Sequence, residues 1–170
     1  MRFLASVGEL STVNGRIAIG AGVRAASLSA VNGSIAVGKE THVSGDTTTV
    51  NGTMLLKDAA EVSGRLSTVN GSIRLVAAHV GHGIQTVTGD IEIGSDSRVE
   101  GGILVKKRYS WGWGWLYEPP PPIVVIAPRA AVTGTLEFQH AVRLYVSDRA
   151  TIGAIEGAKP IFYSGEHPVP

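Results

Sequence analysis

Val-Asn-Gly recurs at 13–15, 31–33, 50–52 and 69–71, and Val87-Thr88-Gly89 continues the series at intervals of 18, 19, 19 and 18 residues. Every asparagine of the chain belongs to one of these triplets. Self-similarity this regular is the mark of a stacked repeat, in which each unit buries its apolar side against the next. A second series, Val-x-Gly, interleaves with the first at Val43-Ser44-Gly45, Val62-Ser63-Gly64, Val99-Glu100-Gly101 and Val132-Thr133-Gly134, with Val80 in a looser version. The step from Val99 to Val132 is 33 residues, one 19-residue unit plus a 14-residue insertion from Tyr109 to Pro122.

Between the triplets, apolar β-branched residues alternate with polar ones, the pattern of half-buried strands. Val69, Gly71, Ile73 and Leu75 are expected on one face, with Asn70, Ser72 and Arg74 on the other. The glycine spacing would break helices throughout. A sandwich of short strands has no need of one triplet at one phase five times. Stacked coils do, because each residue must match those about 4.8 Å above and below it. The sequence therefore predicts an all-β, single-stranded parallel β-helix of about eight coils of 18–19 residues, a rod of roughly 40 Å. Residues 1–170 are expected to form one domain, with 109–122 as an inserted loop and 158–170 as a C-terminal cap or tail.

Stacking places Asn14, Asn32, Asn51 and Asn70 in one column, where side-chain amides bond along the axis as in other identical ladders. A structural ladder is preferred to a row that binds a polar ligand or ice. Asn-Gly tolerates positive φ and suits the tight corner between strands. The threonines and serines at 47–49, 67, 68 and 86 are expected to pair polar groups along that edge.

A formal net charge of +1 gives no electrostatic case for nucleic acid, which calls for a strong basic excess. The chain has no cysteine, so disulfides and thiolate chemistry are excluded. No apolar run reaches bilayer-spanning length, and the apolar stretch after Met1 is too short for a signal peptide. Compartment stays open, since a removed signal peptide would leave the same chain. No carboxylate pair, nucleophile elbow or metal-ligand spacing recurs. His42 and His79 are expected outside, with one coil between them, and no carboxylate recurs beside them at metal-ligand spacing. No catalytic residue, metal or cofactor is assigned.

The insertion has another composition. Trp111, Trp113 and Trp115 are all the tryptophans of the chain, Tyr117 follows, Lys106, Lys107 and Arg108 precede, and Pro119–Pro122 close it. In an extended segment the three indoles share one side. They either fold over the rod or form an aromatic tip suited to a membrane surface, a cell-envelope glycan or a protein groove. At the far end, Ile161 and Phe162 are the last apolar residues and the candidate end-to-end contact.

The segments Val43-Ser-Gly-Asp-Thr, Ala60-Glu-Val-Ser-Gly-Arg-Leu, Ser97-Arg-Val-Glu-Gly-Gly-Ile and Ala131-Val-Thr-Gly-Thr-Leu resemble the bactofilins, polymer-forming bacterial cytoskeletal proteins. The likeness covers most of residues 7–157, in short motifs, and the Val-Asn-Gly triplets and the Trp/Pro insertion depart from it. It implies a right-handed, roughly triangular β-helix that joins end to end into filaments without nucleotide, in the cytoplasm. The competing family is the left-handed hexapeptide-repeat acyltransferases: Val7, Val13, Ile19, Ala25, Val31, Val37 and Val43 fall at six-residue steps, but the phase slips at Val50, Val69 and Val80. The expected function is a self-associating, non-enzymatic scaffold, with a binding module at the Trp loop as the first alternative and an acyltransferase as the second.

Overall fold

Each turn of the chain lays down three short strands, and each strand pairs in parallel with its counterparts one turn before and one turn after. This is the arrangement in the computed structural model, which describes residues 5–108 and 120–168. The third turn shows the unit: β5 (His42–Val43), β6 (Thr47–Asn51) and β7 (Met54–Leu56). They pair onward with β8 (Glu61–Val62), β9 (Leu66–Asn70) and β10 (Ile73–Leu75). One face is an 8-stranded sheet running from β2 (Ile17–Ile19) to β22 (Pro160–Tyr163). The other two faces merge into a 14-stranded sheet, because β1 (Ala5–Asn14) and β3 (Val23–Asn32) cross the corner between them unbroken. Among the described residues there is no helix. The fold is a single-stranded parallel β-solenoid of about eight coils.

Register follows the repeat. Val43, Val62, Val80, Val99 and Val132 stand in one column, each fully buried. Asn14, Asn32, Asn51 and Asn70 stand in another. On the third face the core column runs Ile35, Met54, Ile73, Ile91 and Val124. The pairs Ile91–Val124 and Val99–Val132 span the insertion with the neighbouring rungs still in line. Burying each such aliphatic side chain stabilises by about 1.5–3 kcal/mol, and the columns form one continuous core.

At the corner after the second face the expected phase fails. Val13, Val31, Val50 and Val69 point outward, while Thr49 and Thr68 beside two of them, and Thr86 at the same place before the half-buried Val87, point in. Val69 and Asn70 are both exposed and Ile73 is buried, so strict alternation stops at Val69 and resumes two residues later. The threonines thus line the interior instead of an outer edge. Thr49 Oγ1 reaches Gly33 O at 3.0 Å and Thr86 Oγ1 accepts from Gly89 N at 3.0 Å. Thr47 and Thr68 hydroxyls have no partner among the described residues.

The triplet glycine stands there partly for another reason than expected. Gly15 and Gly71 have positive φ, 130° and 157°, but Gly33, Gly52 and Gly89 do not. A Cβ on any of these last three would run into the backbone carbonyl of the glycine one coil earlier. Left-handed backbone gathers at a different corner, between the third and first faces, where Gly22, Glu40, Ala59, Ala77, Asp96 and Arg129 have φ of 66°, 53°, 57°, 44°, 61° and 61°. Each non-glycine there costs about 1–2 kcal/mol. Of the stretch 158–170 expected as cap or tail, Pro160–Tyr163 is a full rung paired to β19 (Arg143–Ser147).

These positions separate three effects. Ile73→Asp, which puts an unpaired charge into the core, should lower stability by several kcal/mol in a denaturant melt. Gly52→Ala should also destabilise, through backbone collision. Ala59→Gly should leave stability level or raise it by up to about 1 kcal/mol, because the strain removed offsets the added chain entropy.

Candidate functional site

The corner between the second and third faces collects the most unusual residues of the chain. The asparagine ladder runs along it: Asn32 Nδ2 donates to Asn14 Oδ1 at 3.1 Å, Asn51 to Asn32 at 2.9 Å and Asn70 to Asn51 at 3.0 Å. Thr88 takes the next place, its hydroxyl donating to Asn70 Oδ1 at 2.6 Å. The exposed valines form a parallel apolar stripe beside it, 63% exposed at Val13 and 40%, 38% and 39% at Val31, Val50 and Val69.

In the sixth coil the insertion replaces this corner. It leaves after β15 (Ile103–Val105) and returns at β16 (Ile123–Ile126). Its root is tied to the coils on either side. On the earlier side, Lys106 N donates to Thr86 O at 2.9 Å and Ile123 N to Asp90 Oδ1 at 2.8 Å. On the later side, Lys107 N donates to Gln139 Oε1 at 3.1 Å, and Gln139 Nε2 is held by Glu137 at 2.8 Å. His140, from the seventh coil, bridges the gap left by the missing corner: its Nε2 lies 2.7 Å from Val87 O of the fifth coil.

The sequence offers Asp90 only as a surface carboxylate and His140 only as a solvent-facing histidine, and it does not mark Gln139. Asp90 carries a weak signal, because it follows the triplet glycine where Ser34, Thr53 and Ser72 stand in other coils. A carboxylate in that place, in the coil just before the insertion, can accept from the returning backbone.

Beside the root, on the second face, lies an open trough of ≈ 450 Å³ whose side chains include Arg65, His82, Gln85, Leu104, Lys106 and Glu137. Two cations, Arg65 and Lys106, share its lining with one carboxylate, Glu137. Of the insertion residues expected to act together, Lys106 and Lys107 are exposed and Arg108 is half-buried. Trp111, Trp113, Trp115 and Tyr117 lie outside the described residues.

The terminal pair divides between two surfaces. Phe162 is in register with the core residue Val146, whereas Ile161 is in register with Tyr145 on the outer face. They are 64% and 51% exposed, and only Phe162 stands over the end of the core. Tyr163 packs backward, its hydroxyl donating to Ile126 O at 3.2 Å. Burial, then the nearby Glu166 and Asp148, push its phenol pKa up.

The coil between the two histidines supplies a carboxylate. Glu61 sits between His42 and His79, its carboxylate 3.4 Å from one ring and 3.9 Å from the other, and His79 also meets Glu100 at 3.0 Å. In sequence Glu61 is 19 and 18 residues from them, a distance that one coil removes. Among the described residues, no group of three or more histidine and acidic side chains is placed to hold a metal. Elsewhere, charges pair between coils. Arg129 donates two hydrogen bonds to Asp96, at 2.8 and 2.9 Å, holding that carboxyl below its usual range. Lys39 does the same for Asp58 at 2.8 Å. Both pairs are exposed and screened, so they add little to stability.

Comparison with known proteins finds no family model, no curated relative and no solved structure that matches the chain.

The root anchors make the insertion separable from the rod. Replacing residues 109–121 by a short Gly-Ser link should leave the melting temperature close to that of the parent, since loop closure changes by only about 0.6 kcal/mol per doubling of length. Asp90→Ala, which strips the acceptor from Ile123 N, should cost about 1–3 kcal/mol. A deletion more harmful than Asp90→Ala would show that the tryptophans pack on the coils.

Proposed function

We propose that this chain is a rigid β-solenoid scaffold that works by joining copies of itself end to end, and that it catalyses no reaction. The observation that carries this reading is the state of the last coil. β20 (Thr151–Ile152), β21 (Ile155–Glu156) and β22 each pair on one side only among the described residues, and Phe162 stays 64% exposed in line with the core. At the other end, Val7 and Leu10 are half-buried although they align with the buried Ala25 and Leu28. An edge with free N–H and C=O groups above an apolar row is a template for another strand. A second copy fits it best, because every coil already stacks on its like.

The resemblance to the bactofilins agrees with this reading and adds a cytoplasmic setting. No cofactor is invoked, and charge gives no reason to invoke nucleic acid. The 19-residue steps from Ile35 to Met54 and Ile73 are not multiples of six, which weighs against a hexapeptide acyltransferase. One observation favours a second reading, a binding module. The trough on the second face reaches Lys106, at the root of the Trp-bearing insertion, so a glycan, an anionic membrane surface or a protein could engage both.

Light scattering over a concentration series, with negative-stain images, tests the first reading. The parent chain should assemble, and Phe162→Arg should remain a folded monomer with an unchanged melting temperature. Assemblies of Phe162→Arg indistinguishable from the parent would exclude pairing through this end. If instead the parent stays monomeric and anionic vesicles shift its tryptophan fluorescence to the blue, the binding module is the better reading.

A further inference from the structure

The four Asn-Gly steps of the ladder are alike in sequence but differ in the φ of the glycine, positive at Gly15 and Gly71, and in one hydrogen bond that sets Gly71 apart. Gly15 N, Gly33 N and Gly52 N each donate to the asparagine carbonyl of the next coil, at 3.1, 3.0 and 3.1 Å. The equivalent acceptor for Gly71 would be Thr88 O, and among the described residues Gly71 N has no acceptor. Thr88 N donates to Val69 O at 3.0 Å, and the single hydroxyl proton of Thr88 goes to Asn70 Oδ1 at 2.6 Å, the shorter of its two acceptor contacts, the other being Val69 O at 3.1 Å.

We propose that Asn70–Gly71 is a self-modification site, the Asn-Gly step at which the folded chain converts asparagine to aspartate and isoaspartate, while the ladder shields the other three. The backbone nitrogen of Gly71 attacks Cγ of Asn70. The new N–Cγ bond closes a succinimide, the Cγ–Nδ2 bond breaks, and ammonia leaves with the amide proton. One water then opens either ring carbonyl and leaves a carboxylate, so nothing is oxidised or reduced. Glycine is the residue that least hinders this attack, since no Cβ stands in the way.

The nucleophile must lose its proton, and an N–H held by a carbonyl resists that. Gly15, Gly33 and Gly52 are held, whereas Gly71 is half-buried and unbound. The electrophile at Asn70 is also favoured. Thr88 Oγ1 donates to Asn70 Oδ1 at 2.6 Å, so it stabilises negative charge on that oxygen as the amide becomes tetrahedral. At the other asparagines the donor is a neighbouring amide at 2.9–3.1 Å. The product carboxylate can no longer donate to Asn51, which turns the last hydrogen bond of the ladder into a repulsion. Modification therefore loosens the corner of the fourth coil, two coils before the insertion.

The test needs only the full-length chain. Cleavage after Lys and Arg places each asparagine in its own peptide, residues 3–16, 25–39, 40–57 and 66–74. After ageing at mildly alkaline pH, the acid forms should accumulate in 66–74 about tenfold faster than in the others, the factor that one net hydrogen bond corresponds to. In denaturing urea the four peptides should react at similar rates. Hydrogen exchange gives an independent measure: the Gly71 amide should exchange well ahead of Gly15, Gly33 and Gly52. Equal rates in the four peptides of the folded chain, a lead by any other peptide, or a Gly71 amide as protected as its counterparts would overturn the proposal.

Discussion

Coils stacked about 4.8 Å apart leave no residue free of its counterparts above and below, and the other features of this molecule follow from that contact. A glycine is needed at the triplet corner because the carbonyl of the preceding coil already fills the place of a side chain. Asparagine is suited to the neighbouring position because its amide is donor and acceptor at once, so one residue type can link to itself without end. The left-handed corner shows the same contact acting on conformation. Once one coil turns there with positive φ, its neighbours turn the same way, and Glu40, Ala59, Ala77, Asp96 and Arg129 accept the strain.

The insertion shows how much disturbance such a stack can absorb. It enters at a corner, where few ladder bonds are lost, and the coils on either side supply replacements. Asp90 and Thr86 reach it from one side, Gln139 from the other, and His140 spans the gap. The result is a stiff platform with a chemically distinct segment rooted at one point. A scaffold could use such a root to carry a partner without altering its own assembly.

A solenoid is quasi-one-dimensional, with no interaction that tells it to stop except a cap. Here the last rung ends in Phe162 over the core, with Tyr163 turned back toward Ile126 and Ser164 bound to Asp148 at 2.7 Å. These polar tethers hold the end of the rung and the residue after it against the sixth and seventh coils and leave Phe162 uncovered. Growth through this end and engagement at the insertion use different surfaces, so the two functional readings do not compete for residues.

By itself the sequence determined the solenoid, its coil length, the asparagine column, the buried column from Val43 to Val132 and the undisturbed register across the insertion. All are consequences of period, and period survives in one dimension. Only the tertiary structure decided how the chain turns its corners and which coils meet there. Val69 faces water and Thr68 the core because the corner interrupts the two-residue alternation, and no local rule says where alternation resumes. Glu61 lies between two histidines, and His140 touches Val87 from 53 residues away. Such neighbours depend on the exact number of residues spent at each corner. That count is set by how the coils pack, so pairs of side chains across coils became visible only in the folded chain.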